Sequence, residues 1–158
     1  MNLHRMLLER KAAGKPITIG LIGAGKFGLM FLSQVRQTDG MHLVGVADLN
    51  TARARSQLKL GCWPPEQSAA ASIDDALEHG STVVTDNADA LVAHPAIEVI
   101  IEATGDPGAG IRFAIKAIEN GKHIVMVNVE ADVLAGPILA RKAKQAGVVY
   151  SLAWGDQP

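Results

Sequence analysis

A chain of 158 residues, 48% of them apolar, is long enough for one full-sized domain with a substantial core and too short for two. Its 15 basic and 16 acidic residues are spread along the chain for a net charge of −1, so no basic stripe is available to nucleic acid. No run of about 18 uncharged apolar residues offers a membrane span, and Cys62, the only cysteine, excludes an internal disulfide or a CxxC site.

Charges interrupt the apolar residues of "MNLHRMLLERKAAGK", which therefore lacks the h-region of a secretory signal and leaves a cytoplasmic address as the default. Leu3, Met6 and Leu7 follow helical spacing, which predicts a packing helix over residues 2–13, closed by Gly14 and Pro16. Residues 1–15 thus precede a single domain over 16–158. Short apolar runs then alternate with stretches of helical period, and strands are predicted at 17–22, 42–47, 82–85, 97–102, 123–127 and 148–152. Runs such as "HLVGVA" are continuously apolar, as in strands covered on both faces. The fold class expected is α/β: a Rossmann doubly wound, six-stranded parallel sheet of order 3-2-1-4-5-6 with helices on both faces. Two helices show buried stripes, Gly28, Phe31, Leu32 and Val35 in one, and Ile111, Ala114, Ile115 and Ile118 in another. Ser72 followed by Asp75 suits a helix start, Gly121 and Gly147 suit helix ends, and Pro137 suits the opening of the last helix, "PILARKAKQA". The prolines of "GCWPPEQ" predict an irregular surface excursion. The five histidines have no metal-ligand spacing and read as surface or capping residues.

A strand carrying "GAGKFG" straight into a helix is the feature with chemistry in it. Gly23 suits the tight turn, Gly25 a close approach of a pyrophosphate to the backbone, and Gly28 the contact of helix with strand, with Lys26 and Phe27 between them. Free amides at the helix start form an anion site. Asp48, 20 residues after Gly28 and followed by Leu49, stands where a carboxylate accepts hydrogen bonds from the adenosine ribose. It favours NAD, because a 2′-phosphate beside a carboxylate is repelled. Arg53 and Arg55 lie close enough in sequence to pair with such a phosphate, or else are solvated residues of a surface helix, so the cofactor is NAD or NADP. Two further stretches follow strands. "EATGDPGAG" offers Thr104 and Gly105 to the cofactor, with Asp106 or Gly108 opening the next helix; "MVNVEAD" offers Asn128 and Glu130, as cofactor contacts or as simple caps.

Together "ITIGLIGAGKFG", "EATGDPGAGIRFAIKAIENGKHIVMVN", "VEADVLAGPIL" and "YSLAWGDQP" resemble the nucleotide-binding domain of homoserine-dehydrogenase-like oxidoreductases. "NVEAD" and "GDQP" favour the branch of SAF-domain oxidoreductases that includes 1-deoxy-D-xylulose 5-phosphate reductoisomerase-like enzymes. Val129 and Glu130 stand where homoserine dehydrogenases carry a lysine, a departure from homoserine oxidation. The resemblance implies a cofactor domain of an NAD(P)-dependent oxidoreductase acting on a small, polar, sometimes phosphorylated molecule, in a homo-oligomer. In such families a substrate domain holding most catalytic groups follows, so the resemblance assigns no catalytic residue here, and Trp154 is expected to mark surface covered by that domain. A binding module that senses NAD(H) is the alternative function.

Overall fold

The computed structural model describes residues 2–153. Its six strands, β1 (Ile17–Ile22), β2 (Met41–Ala47), β3 (Val83–Thr85), β4 (Val99–Glu102), β5 (His123–Met126) and β6 (Tyr150–Leu152), form one parallel sheet in the order β3-β2-β1-β4-β5-β6. This is the order expected of a doubly wound fold, and β1 and β4 meet where the winding reverses.

Successive strand residues face opposite sides of the sheet, which explains why the strands read as apolar throughout. On one side, Leu21, Val46 and Ile101 pack with Leu32 and Val35 of α2 (Lys26–Val35) and Ala54 and Leu58 of α3 (Thr51–Leu60). On the other, Val44, Ile100, Ile124 and Met126 meet four further helices: α4 (Ile73–His79), α5 (Ala88–Ala93), α6 (Pro107–Glu119) and α7 (Val129–Ala146). Each fully buried Leu or Ile contributes about 1.5–3 kcal/mol, so the two apolar layers dominate stability.

Several expectations need correcting. The first helix, α1 (Leu3–Ala12), buries no residue; Leu3 and Met6 are exposed, and the helix is held by ion pairs of Arg10 with Glu98 and Lys11 with Asp39. In α6 the buried stripe is Gly110, Phe113, Ala114, Ala117 and Ile118, with Ile111 and Ile115 at its margins. Pro137 does not open the last helix but lies inside it; the start is Asn128, whose carboxamide oxygen accepts the Ala131 amide at 3.1 Å. The predicted strand 97–102 begins at Val99, because the Ile97 amide turns back to the His94 carbonyl. The predicted strand 148–152 begins at Tyr150, because Gly147 (φ 71°) closes α7 and the Val148 amide bonds Ala143. The "GCWPPEQ" excursion contains a 3-10 turn (Pro65–Ser68), and Trp63 anchors it by donating its indole N–H to the Leu32 carbonyl at 2.8 Å.

At the amino-terminal edge of the sheet, Lys122 is 5% exposed and its ammonium donates to the carbonyls of His94 (2.7 Å) and Pro95 (3.2 Å). Thr18 donates its hydroxyl to Ala96 O at 2.6 Å and its amide to the Glu98 carboxylate at 3.2 Å.

Candidate functional site

At the carboxyl end of β1 the chain turns at Gly23, whose φ of 96° is a conformation that side-chain-bearing residues seldom adopt. A Cβ there would sit 2.4 Å from the Ala103 carbonyl oxygen, and one at Gly28 would sit 2.7 Å from the Gly23 oxygen. A Cβ at Gly25 would meet nothing within 4 Å. Gly23 and Gly28 are therefore required by packing, whereas Gly25 borders open space.

Gly25 is also the N-cap of α2, and it supplies no side-chain hydrogen bond. Each of the other described α-helices has a capping side chain: Asn2, Asn50, Ser72, Asn87, Asp106 and Asn128. At α2 the first-turn amides and the positive end of the dipole are left facing that space.

Beside the loop lies Asp48, with a side chain only 1% exposed. One carboxylate oxygen accepts the Ala24 amide and the other the Asn50 amide, each at 2.8 Å, while Nη2 of Arg53 donates to both oxygens at 2.8 Å. Burial pushes this carboxyl up, but the Ala24 amide, the Arg53 guanidinium and the Asn50 amide outweigh it and hold the group below its ordinary range. The acid thus ties the glycine turn to the start of α3.

A crevice of about 360 Å³ opens here, with Gly23, Asp48, Leu49, Arg53, Thr104 and Arg112 in its wall. Leu49, 96% exposed, flanks the crevice, whose wall also includes the apolar Ile22, Ala47 and Phe113. Gly105 (φ 72°) is exposed at the rim. Lys26 is exposed on the first residue of α2, while Phe27 packs toward the α2–α3 core rather than into the crevice. Asn128 is 3% exposed and is consumed by the fold: it caps α7 and donates Nδ2 to the Asp106 carbonyl at 2.8 Å. Glu130 is exposed in the first turn of α7, outside the crevice wall.

The sequence reading missed Glu102 and Arg112. Glu102 is fully buried at the end of β4; Oε1 accepts the Thr104 amide at 2.9 Å, and Oε2 has no hydrogen-bond partner among the described residues. Burial raises its pKa, against the lowering effects of Thr104 and Asn128. A carboxylate ending the apolar run "VIIEA" was the available signal. Arg112 lies 4.1 Å above the Phe113 ring and reaches Asp89 at 3.4 Å, a position that only the packing of α5 on α6 reveals.

Among known proteins, the chain is 32% identical over 123 residues to a homoserine dehydrogenase of Methylobacillus glycogenes, covering 72% of this chain and 25% of that one. It is 30% identical over 142 residues to a 1-deoxy-D-xylulose 5-phosphate reductoisomerase of Anaeromyxobacter sp. (strain K), covering 82% and 35%. The chain therefore spans between a quarter and about a third of these relatives. A solved homoserine dehydrogenase from Thiobacillus denitrificans has the same fold, with a TM-score of 0.69 at 23% identity over 87% of this chain and 29% of that one. The expected SAF-domain branch is a finer division than these likenesses draw, and the "GDQP" that favoured it lies outside the described residues, as does Trp154. The family model described as "Oxidoreductase family, NAD-binding Rossmann fold" matches residues 17–152, nearly all of the sheet and its helices, and the chain belongs to that GFO/IDH/MocA oxidoreductase family.

Proposed function

We propose that this chain is the dinucleotide-binding part of an NAD(P)-dependent oxidoreductase that acts on a small polar substrate, phosphorylated or not, with the groups facing the substrate supplied by a further domain. The observation that carries this reading is the α2 N-terminus: two glycines that packing demands, a third that borders open space, and no capping side chain. A pyrophosphate suits that arrangement, since free amides and the helix dipole favour an anion and a Cβ at Gly25 would fill its place. The residues present fit the cofactor elsewhere too. In this reading Asp48 and Arg53 would face the adenosine ribose, Leu49 would offer an apolar face to adenine, and Thr104 in the crevice wall, with the exposed Gly105 beside it, would face the nicotinamide side.

When bound, a nicotinamide cofactor supplies or accepts a hydride. The chain's own residues would hold and orient it from the side of the sheet and α2. A substrate has to be oriented against the cofactor from the other side, and relatives three to four times as long as the matched segment have chain enough for that. The assembly is read as a homo-oligomer by resemblance.

Calorimetric titration of the chain with NADH and NADPH, beside turnover assays on small hydroxy acids and aldehydes, tests the reading. Micromolar binding of at least one cofactor with negligible turnover is the expected result. No binding of either cofactor would overturn it, and full turnover by these residues alone would overturn the need for a further domain. Binding without turnover by a full-length natural protein would favour the NAD(H)-sensing alternative.

A further inference from the structure

We propose that the outward face of α7 is a self-complementary surface on which a second copy of this chain docks with its own α7 antiparallel, so that Glu130 of each copy meets the partner's Arg141. The inference does not depend on the dinucleotide reading above, and it gives the homo-oligomer read there by resemblance a definite surface.

Along α7 the residues Glu130, Val133, Leu134, Pro137, Ile138 and Arg141 recur at spacings of three and four, or one between neighbours, and so share one face of the helix. All six are exposed, with Val133 at 76%, Leu134 at 69% and Ile138 at 52%. The opposite stripe, Ala131, Leu139 and Ala143, is buried on the sheet. α7 lies over β5 and β6, at the outer edge of the sheet, where another molecule can approach it. A single exposed apolar side chain needs no explanation, but four adjacent ones on one helix face mark a surface to be covered.

The charges of this face say what covers it. Its amino end carries the acid Glu130 and its carboxyl end the bases Arg141 and Lys144. Neither Glu130 nor Arg141 forms an ion pair among the described residues. The other acid of the first turn, Asp132, is turned inward, where it accepts the Tyr150 hydroxyl at 2.7 Å. Two copies related by a two-fold axis that passes between Ala135 and Gly136 would place each Glu130 against the partner's Arg141, each Val133 against the partner's Ile138, and each Leu134 against the partner's Pro137. Acid thus meets base at both ends and apolar meets apolar in the middle, as an isologous contact demands. A parallel pairing would set Glu130 against the partner's Glu130. One helix pair buries less than the roughly 1,200–2,000 Å² of a standard interface, so the dimer should be concentration-dependent, with a Kd in the micromolar range.

Sedimentation equilibrium of the chain across a concentration series tests this, with thermal melting to establish that each variant folds. Leu134→Asp, which puts a charge at the centre of the contact, should leave the chain monomeric up to about 1 mM. Glu130→Arg and Arg141→Glu should each weaken the dimer about 3- to 30-fold, since each makes two facing pairs repulsive, and the double reversal should restore it to within about 3-fold. A wild-type chain that stays monomeric up to about 1 mM overturns the pairing and leaves the face to a further domain of a longer protein. A dimer indifferent to Leu134→Asp lies on another surface and overturns it as well, and a double reversal that restores nothing overturns the antiparallel register. The dinucleotide reading stands or falls separately, by the NADH titration.

Discussion

A Cβ on Gly28 would lie 2.7 Å from the carbonyl oxygen of Gly23, a backbone atom with no freedom to retreat. The first turn of α2 can approach the end of β1 only because Gly28 has no side chain, whereas the bare Gly23 makes room for the Ala103 carbonyl. Gly28→Ala is therefore expected to destabilise the fold by about 1–3 kcal/mol, the usual range for overpacking. Gly25→Val should do the reverse of this: stability within about 1 kcal/mol of wild type, since its site is open, and loss of cofactor binding. Thermal melts and NADH titrations of the two variants, run side by side, separate the glycine that packs from the glycine that binds.

Asp48→Asn should cost about 1–3 kcal/mol at neutral pH, because the amide it introduces opposes a donor that the carboxylate now accepts. The pH dependence has a definite sign. Asp48 is held below its ordinary range in the fold, so its stabilising effect is complete above the unfolded value and is lost as pH falls through the lowered folded one. Denaturation measured from pH 7 down to strong acid should show the gap between wild type and variant closing.

Glu102 has the opposite sign. Its raised folded pKa means that its contribution is fully present below the unfolded value and declines as pH rises through the folded one. Glu102→Gln removes that decline, so the variant should gain on wild type as pH is raised from about 4, below the ordinary glutamate range, to neutral and beyond. A gap between their melting temperatures that stays constant across this range would show that the carboxyl is not perturbed by its burial.

Pro137 interrupts the hydrogen-bond ladder of α7 from an exposed position. A proline in a helix interior typically costs about 3 kcal/mol. Pro137→Ala should raise the melting temperature without altering cofactor binding, and a lower melting temperature would mean that the ring itself is packed.

Much of this architecture was legible because two periods dominate it. Apolar runs of four to seven residues mark the strands, and the glycine spacing marks the crossing from β1 to α2. What was hidden lies in side chains whose partners are distant in sequence or have more than one local use. Asn128 could be read as ligand or cap with equal ease, and only the nearness of Asp106, 22 residues earlier, shows its amide to be spent. The pairing of Arg53 with Asp48 was equally out of reach: a five-residue separation across a strand–helix junction has no fixed geometry until both elements are placed. Pro137 misled for a different reason, since the preference of proline for a first turn is a tendency, and the cap at Asn128 with the buried Ala131, Leu139 and Ala143 extends the helix past it.

The two rims of the sheet are secured by different means. At the rim away from the crevice, Lys122 spans the His94 and Pro95 carbonyls, and Thr18 grips Ala96 and Glu98 across some 80 residues of chain. These bonds rivet the starts of β1, β4 and β5 to one another before any ligand arrives. At the crevice rim the side chain of Asp48 joins the turn after β1 to the start of α3, beside the backbone bond from the Gly23 amide to the Ala47 carbonyl. A molecule fastened at its base and lightly latched at its mouth can breathe where it binds without loosening where it is built. Hydrogen exchange should accordingly find the amides of the α2 first turn fast and those at the start of β1 slow, with a bound dinucleotide slowing only the former.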